Sequence, residues 1–166
     1  MGYGYGVWLT YPKHIFPTTH VGHFTVACFM EKEDAYNLYE NIKKELGNKI
    51  PITIYHDLVI HFDKNYYEDD KNEICSWGFN GSCKLWKKLS TLSKDFKCNF
   101  SHEPHTSIEY ASSKNDFKIK YNPKYNPKYN PKYNPKYNPN NSLEVLCNLH
   151  VVDITNKDPN KWNIVK

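Results

Sequence analysis

His23-Phe24-Thr25-Val26 and His105-Thr106-Ser107-Ile108 share one pattern: a histidine, any residue, a hydroxyl-bearing residue and a β-branched aliphatic residue. Side chains alternate between the two faces of an extended strand, so each histidine shares a face with the hydroxyl two positions later. Each stretch therefore predicts a strand that presents an imidazole beside a hydroxyl. If the two strands face each other, they line one cleft, and the rest of the chain is interpreted as their scaffold.

The composition indicates one folded domain. With 166 residues, 39% of them hydrophobic and 24% charged, the chain is long enough to bury a core. The net charge is +4, but the stretch 118–142 alone contains six lysines and no acid. The rest of the chain is therefore slightly acidic, which argues against a basic nucleic-acid platform. Five cysteines without a Cys-x-x-Cys pair argue against a disulfide scaffold and a zinc ribbon.

The location predicted from the sequence is the cytoplasm. Residues 1–6 have neither a basic start nor an apolar run, and no apolar stretch approaches the roughly 20 residues that cross a bilayer. Abundant Asn, Lys, Tyr and Ile are typical of AT-rich genomes such as those of large viruses, in which case the location is the host cytoplasm. We expect a monomer without membrane contact.

Hydrophobic periodicity predicts an α+β chain in which strands and helices alternate. Strands are expected at 6–11, 23–30, 50–62 with a bend at 55–57, 74–79, 105–112, 142–155 and 162–165. One helix is predicted from Glu31 to a Gly47 cap, and a second from a Ser82 cap through Phe96. Asn80-Gly81 is interpreted as a turn, and residues 63–73 and 99–104 as loops.

A repeat interrupts the second half of the chain. Tyr-Asn-Pro-Lys occurs four times from Tyr121 and ends as Tyr-Asn-Pro-Asn at 137–140. Proline at every fourth position is incompatible with a packed helix or a central strand. We interpret 121–140 as an extended, solvated insertion in a single domain that spans 1–166. A neutral expansion is the favoured interpretation, and nucleic-acid binding by alternating rings and cations is the alternative.

Two facing imidazoles are suited to acid–base chemistry, because imidazole titrates near neutral pH. His23 and His105 could exchange a proton with water or a ribose hydroxyl on one side and with a leaving oxygen on the other. The hydroxyls of Thr25 and Ser107 could donate to phosphate oxygens and stabilise the charge that develops there. This arrangement needs no metal and no cofactor.

The paired motifs resemble the signature of the two-histidine (2H) phosphoesterase superfamily, and most closely its plant and fungal cyclic phosphodiesterase branch. Val7-Trp8-Leu9 is similar to the entry strand of that branch, and residues 104–110 are similar to its second motif, which ends in Tyr. Residues 151–155, followed by Trp162, are similar to its last strand and trailing Trp. The sequence departs from the family at Val21-Gly22, which stands where a Pro often precedes the first His, and at the repeat.

The resemblance implies a two-lobed α+β fold, with antiparallel sheets, a helix in each lobe and the active-site cleft between them. It implies cleavage of cyclic phosphodiesters without a cofactor, with His23 and His105 as the acid–base pair and Thr25 and Ser107 as phosphate ligands. Tyr110 matches a position where the branch has an aromatic ring near the substrate. Candidate substrates are nucleoside 2′,3′-cyclic phosphates, ADP-ribose cyclic phosphate, RNA cyclic ends and cyclic dinucleotides.

Several alternatives remain open from the sequence alone. Trp8, Tyr5 and Tyr11 could stack on a substrate base near the cleft, pack in the core or lie at an exposed rim. The chain could be a module that binds a cyclic nucleotide or an RNA end without turnover, or an RNA-processing nuclease with similar chemistry. His20-x-x-His23 and His102-x-x-His105 invite a zinc hypothesis. It is disfavoured because His20 and His102 fall in loops, because a spacing of three along a strand turns side chains to opposite faces, and because no acid or cysteine motif accompanies the pairs.

Overall fold

The computed structural model describes residues 4–16, 18–64, 74–111, 142–156 and 158–166. The fold is α+β, as predicted. The strands are β1 Tyr5–Thr10, β2 His23–Met30, β3 Lys49–Lys64, β4 Ile74–Ser82, β5 Asn99–Phe100, β6 His105–Ala111, β7 Ser142–Asp153 and β8 Asn163–Ile164. The helices are α1 Lys32–Leu46 and α2 Trp86–Ser93. Within these ranges, no helix has the length and apolar character needed to cross a membrane.

The strands form one antiparallel sheet in the order β5-β2-β1-β7-β3-β4-β6, with β8 paired to β7. Strand β7 pairs with β3 along Ser142–Asn148 and with β1 along Asn148–Asp153. It therefore joins a group made of β5, β2 and β1 to a group made of β3, β4 and β6. Although β2 and β6 lie far apart in the strand order, they approach each other in space. The sheet must therefore curve, and the curvature brings the two motif strands together.

Helix α1 forms where its charge pattern and apolar period predict it. Glu33 and Asp34 lie in its first turn and Lys43 and Lys44 in its last, which matches the helix dipole. Gly47 ends the helix at φ 83°, a conformation that favours glycine. The helix packs on β1 and β7 through one apolar face. That face consists of Ala35, Leu38, Tyr39 and Ile42.

The two faces of the sheet have different contents. Val7 and Leu9 of β1 and Phe24 of β2 belong to the main core, which also includes the buried faces of both helices. Because side chains alternate along a strand, Trp8 points away from that core and joins Val152 in a smaller buried cluster. The same alternation puts His23 and Thr25 on the face that carries Trp8.

Two predictions around β4 are wrong. The strand continues through Ser82, so Asn80-Gly81 is not a turn and Ser82 does not cap α2. Gly81 is held in the sheet because its N–H donates to the Pro104 carbonyl at 2.8 Å, and a Cβ there would lie 2.9 Å from the Thr53 carbonyl oxygen. Helix α2 begins only at Trp86 and ends at Ser93, so Phe96 lies beyond it.

Other boundaries differ in smaller ways. Residues 99–104 were expected to be a loop, but Asn99 and Phe100 pair with Cys28 and Ala27 as the short edge strand β5. The predicted bend in β3 is confirmed, since its register to β4 shifts between Ile54 and Val59. Most of the predicted charged loop, 65–73, lies outside the described residues. The repeat at 121–140, with both interpretations of it, also lies outside them.

Candidate functional site

His23 is the first residue of β2 and stacks on Trp8 of β1. Their ring centroids are 3.5 Å apart and the ring planes differ by 5°. The strand register explains the contact, because Trp8 pairs with Thr25 and Thr10 with His23, so the four side chains share one face. His23 is 4% exposed and Trp8 is 2% exposed. The indole of Trp8 therefore packs against one face of the His23 imidazole and fixes the plane of that ring.

A backbone hydrogen bond fixes the tautomer of His23. Nδ1 lies 2.7 Å from the Val21 carbonyl oxygen, which can only accept, so Nδ1 carries the proton and donates. In the neutral ring, Nε2 is then the nitrogen that can accept a proton. Burial, and after it the neighbouring His20 and His105, lower the pKa of His23 to about 3, against the opposing effect of the hydrogen bond to Val21. The imidazole is therefore neutral at pH 7.

The second motif begins at the first residue of β6. His105 pairs with Asn80 and is half-buried, and Ser107 pairs with Gly78. The buried Ser107 hydroxyl donates to Ser76 Oγ at 3.3 Å. A Cβ on residue 78 would lie 1.8 Å from the Thr106 carbonyl oxygen, so the close pairing of β4 and β6 here requires glycine.

The segment 11–22, which connects β1 to β2, also holds β6; we call it the bridging loop. Tyr11 Oη and Thr106 Oγ1 share a buried hydrogen bond of 2.5 Å. His20 Nε2 donates to the Ser107 carbonyl at 2.9 Å. Gly22 makes room for this packing, because a Cβ there would lie 2.3 Å from the Tyr11 ring. The loop ahead of the first motif is thus bonded to two residues of the second.

Five aromatic rings contact one another in a closed circuit, which we call the aromatic ring cluster. The edge-on contacts have centroid distances of 5.9 Å for His23–His20, 5.0 Å for His20–Tyr110, 5.5 Å for Tyr110–Trp162 and 5.8 Å for Trp162–Trp8. The stacked Trp8–His23 pair closes the circuit. Rings from β1, β6, the bridging loop and the C-terminal segment therefore form a circuit with the His23 imidazole, which is buried.

Trp162 is held in the cluster by polar contacts around it. Its Nε1 donates to the Asn156 carbonyl at 2.6 Å, and Asn160 Oδ1 accepts from the Thr19 hydroxyl of the bridging loop at 2.8 Å. The indole lies 6.1 Å from the His23 ring, centroid to centroid, and is half-buried. Trp162 therefore forms part of the wall beside His23, and its remaining exposed surface faces solvent.

The structure places the predicted site residues as follows. His23, Thr25 and Trp8 share a face of the β1–β2 pair, and Tyr110 reaches the same cluster from β6. His105 is close enough to His23 for its charge to act on the His23 pKa. With 2% of its surface exposed and His23 stacked on it, Trp8 offers no open face to a base. This argues against its predicted stacking on a substrate.

Sequence reasoning gave two residues no structural role in the site and misplaced a third. Tyr11 was considered only as a ring that could stack near the cleft, and Trp162 only as the trailing Trp of the resemblance; their contacts with Thr106 and His23 were not expected. His20 was expected to point away from His23, because three positions separate them. That expectation is wrong, since residue 20 precedes β2 and does not follow the alternation of the strand.

The His20–His23 pair bears on the zinc hypothesis. Each ring already has one nitrogen directed at a backbone carbonyl, at Ser107 and Val21 respectively. His102, which belongs to the other proposed pair, is exposed in the loop before β6. Across the described part of the chain, no three His, Cys, Asp or Glu side chains are grouped closely enough to hold a metal ion.

Comparison with known proteins gives no further guide to the site. No protein-family model matches this sequence, and no curated protein matches it. The arguments about function therefore depend on the site itself.

Proposed function

We propose that this protein is a metal-independent phosphodiesterase of the 2H type, which hydrolyses a cyclic phosphodiester in a small nucleotide or oligonucleotide. His23 and His105 are the acid–base pair, and Thr25 and Ser107 hold the phosphate. The two-lobed arrangement of 2H enzymes is part of the proposal, with β5-β2-β1 in one lobe, β3-β4-β6 in the other and β7 shared between them.

One observation carries this proposal: the loop that delivers His23 is bonded to the strand that begins with His105. Tyr11 bonds to Thr106 and His20 to Ser107, and the charge of His105 acts on His23. Two motifs far apart in sequence are thus brought within electrostatic range. Catalysis by two imidazoles requires such a fixed pair, with one ring on each side of the reacting phosphorus.

The environments of the two histidines favour different roles. His23 is neutral at pH 7 and its Nδ1–H is anchored on Val21, so Nε2 is the acceptor. We therefore assign His23 as the general base and half-buried His105 as the general acid; a phosphate anion bound beside His23 would raise its pKa from about 3 toward the range that a general base needs. His23 Nε2 takes a proton from water as its oxygen bonds to phosphorus. The bond from phosphorus to a ribose oxygen breaks, and His105 gives that oxygen a proton.

The remaining residues serve binding and support. Thr25 lies on the His23 face of β2, two residues along, and Ser107 stands in the same relation to His105. Each hydroxyl can donate to a non-bridging phosphate oxygen, where negative charge builds up in the transition state, and Ser107 does so by turning its O–H away from Ser76 Oγ. Half-buried Tyr110 flanks the site from β6. Trp8 supports His23 rather than the substrate, as its burial requires.

The experiment is a turnover assay on a panel of cyclic nucleotides, covering 2′,3′-cyclic monophosphates, ADP-ribose cyclic phosphate and cyclic dinucleotides, with and without EDTA. We expect hydrolysis of at least one compound, at the same rate in EDTA. His105→Ala should reduce that rate by about 10²–10⁴-fold, the range typical of a lost general acid. The matched control is His102→Ala, which removes an exposed histidine three residues earlier and should retain the rate.

Three outcomes would overturn the proposal. Tight binding without product across the panel would indicate the non-catalytic module instead. Loss of activity in EDTA would revive the metal hypothesis. A His105→Ala variant as active as His102→Ala would remove the second motif from the chemistry.

A further inference from the structure

We infer that His20 is a positioning residue that holds the second motif strand in register with His23, a role that depends on the function proposed above. Nothing in the acid–base chemistry uses this ring. It is nevertheless buried between the two motif strands, with 3% of its surface exposed. Its Nε2–H is already committed to the Ser107 carbonyl, so its effect on turnover passes through the residues that it contacts.

The contacts of His20 connect both halves of the site. Nε2 donates to the Ser107 carbonyl, the edge of the ring meets His23 at 5.9 Å, and it meets Tyr110 at 5.0 Å, centroid to centroid. Ser107 is the proposed phosphate ligand of the second motif and His23 is the histidine of the first. A single side chain therefore contacts one group from each motif.

The place of β6 in the sheet explains why such a contact is needed. In the strand order of the described residues, β6 is the terminal strand, paired only with β4. A terminal strand presents backbone carbonyls on its open side, and a buried carbonyl needs a donor. His20 supplies that donor at Ser107, in the position that a further strand would occupy. Without this hydrogen bond, the Ser107 carbonyl would move toward another donor, and the Ser107 hydroxyl would move with it.

Charge gives the same residue a second, separable effect. The groups that act on the pKa of His23 are His20 from the bridging loop and His105 from β6, and Tyr110 faces the His20 ring. Both histidines lower the pKa of His23, so a neutral side chain at position 20 should raise it. Hydrogen bonding and charge can therefore be tested by different measurements.

The test compares His20→Gln with His20→Met, two side chains of similar length. Gln can still donate to the Ser107 carbonyl, whereas Met cannot. We expect His20→Gln to stay within about threefold of the wild-type kcat. His20→Met should lose about tenfold to a hundredfold in kcat with little change in KM, because a small misplacement of catalytic groups has effects of that size. Both variants should raise the pKa of His23, followed by NMR of its ring protons.

Each outcome decides the inference. If His20→Met folds and its kcat equals that of the wild type, the inference is overturned. A loss of kcat beyond tenfold in His20→Gln would also overturn it, and this second result decides the question if His20→Met does not fold. If the wild type hydrolyses nothing, the proposed function fails, but NMR still tests the positioning. The NOE between the rings of Tyr110 and Trp162, whose centroids lie 5.5 Å apart, should persist in His20→Gln and weaken in His20→Met. An unchanged NOE in His20→Met would overturn the role of His20.

Discussion

The two motifs share a sequence pattern but lie in different environments. His23 is 4% exposed, stacked on an indole and anchored through Nδ1, whereas His105 is half-buried at the start of a terminal strand. The four-residue pattern sets only which side chains share a face. Burial, tautomer and pKa come from neighbours far away in sequence, chiefly Trp8 and the bridging loop. In the proposed mechanism, the difference between the environments lets His23 accept a proton while His105 donates one.

The sharpest way to separate the two histidines is to remove each in turn. Both His23→Ala and His105→Ala should lose about 10²–10⁴-fold in kcat. Only His23→Ala should also lower the free energy of unfolding, by about 2 kcal/mol, because it leaves a cavity above Trp8. The measurements are steady-state kinetics and urea unfolding. Equal loss of stability in both variants would contradict the contrast in burial.

Each motif has a neighbouring glycine: Gly22 precedes His23, and Gly78 pairs with Ser107. We expect an alanine to lower the free energy of unfolding by different amounts at the two positions. Gly78→Ala drives a Cβ into the Thr106 backbone carbonyl and should lower the free energy of unfolding by about 3 kcal/mol. Gly22→Ala meets the Tyr11 ring, a side chain that can move, and should lower it by about 1–2 kcal/mol. Urea unfolding measures both. A Gly22→Ala variant less stable than Gly78→Ala would show that the bridging loop is the more rigid region.

Acid should weaken the first motif through His23. Burial holds its folded-state pKa near 3, below the ordinary value of about 6.5 that it regains on unfolding. Between these values the unfolded chain binds more protons, so the free energy of unfolding falls as the pH falls. The contribution of His23 approaches about 1.4 kcal/mol per pH unit below pH 6.5, and that of His20, whose pKa burial also lowers, has the same sign.

Urea unfolding at pH 7 and pH 5 checks this pH dependence. In His23→Gln the dependence should be smaller than in the wild type. The matched control, His102→Gln, changes an exposed histidine and should leave the dependence as it is. If His23→Gln keeps the full pH dependence of the wild-type free energy of unfolding, that dependence arises from groups other than His23.

The smallest expected loss of stability comes from the hydrogen bond that joins the bridging loop to β6. Tyr11→Phe removes the partner of the buried Thr106 hydroxyl and should lower the free energy of unfolding by about 1–2 kcal/mol. The control is Tyr36→Phe, which removes a hydroxyl bonded at 3.4 Å to an exposed carbonyl and should cost less than about 0.5 kcal/mol. Adding Thr106→Val to Tyr11→Phe should restore part of the loss, because neither partner is then left unsatisfied. Urea unfolding of the single and double variants tests this coupling.

Much of the fold was predictable because local chemistry decided it. Strand β2 has the predicted bounds, and the acid-to-base pattern of α1 placed that helix to within one residue. The turn predicted at Asn80-Gly81 is wrong because turn propensity is a local property, whereas tertiary contacts hold Gly81 in β4. The alternation rule correctly put Thr25 on the face of His23 and failed for His20, which lies outside the strand.

The site was less predictable because its surroundings come from distant segments. Trp162 contacts His23 only after the chain has passed through the described strands β1–β7 and helices α1 and α2. Tyr11 was expected at most to stack near the cleft, whereas its bond to Thr106 depends on the curvature of the sheet. Such contacts have no sequence signature at either end. The pattern of the motifs predicted a pair of histidines, and packing determined the tautomer of His23.

Because one part of β7 pairs with β3 and the other with β1, the sheet can be completed only after β7 has been synthesised. Before residues 142–153 emerge during synthesis, β1 and β2 can form a hairpin, and β3, β4 and β6 can pair in sequence, but the strand that joins the two units within the sheet is not yet present. Their junction needs contacts that span most of the chain, and contacts of such high order slow folding. Until then, the apolar edges of both units are open to aggregation, so folding yield should depend on how quickly the last strand docks.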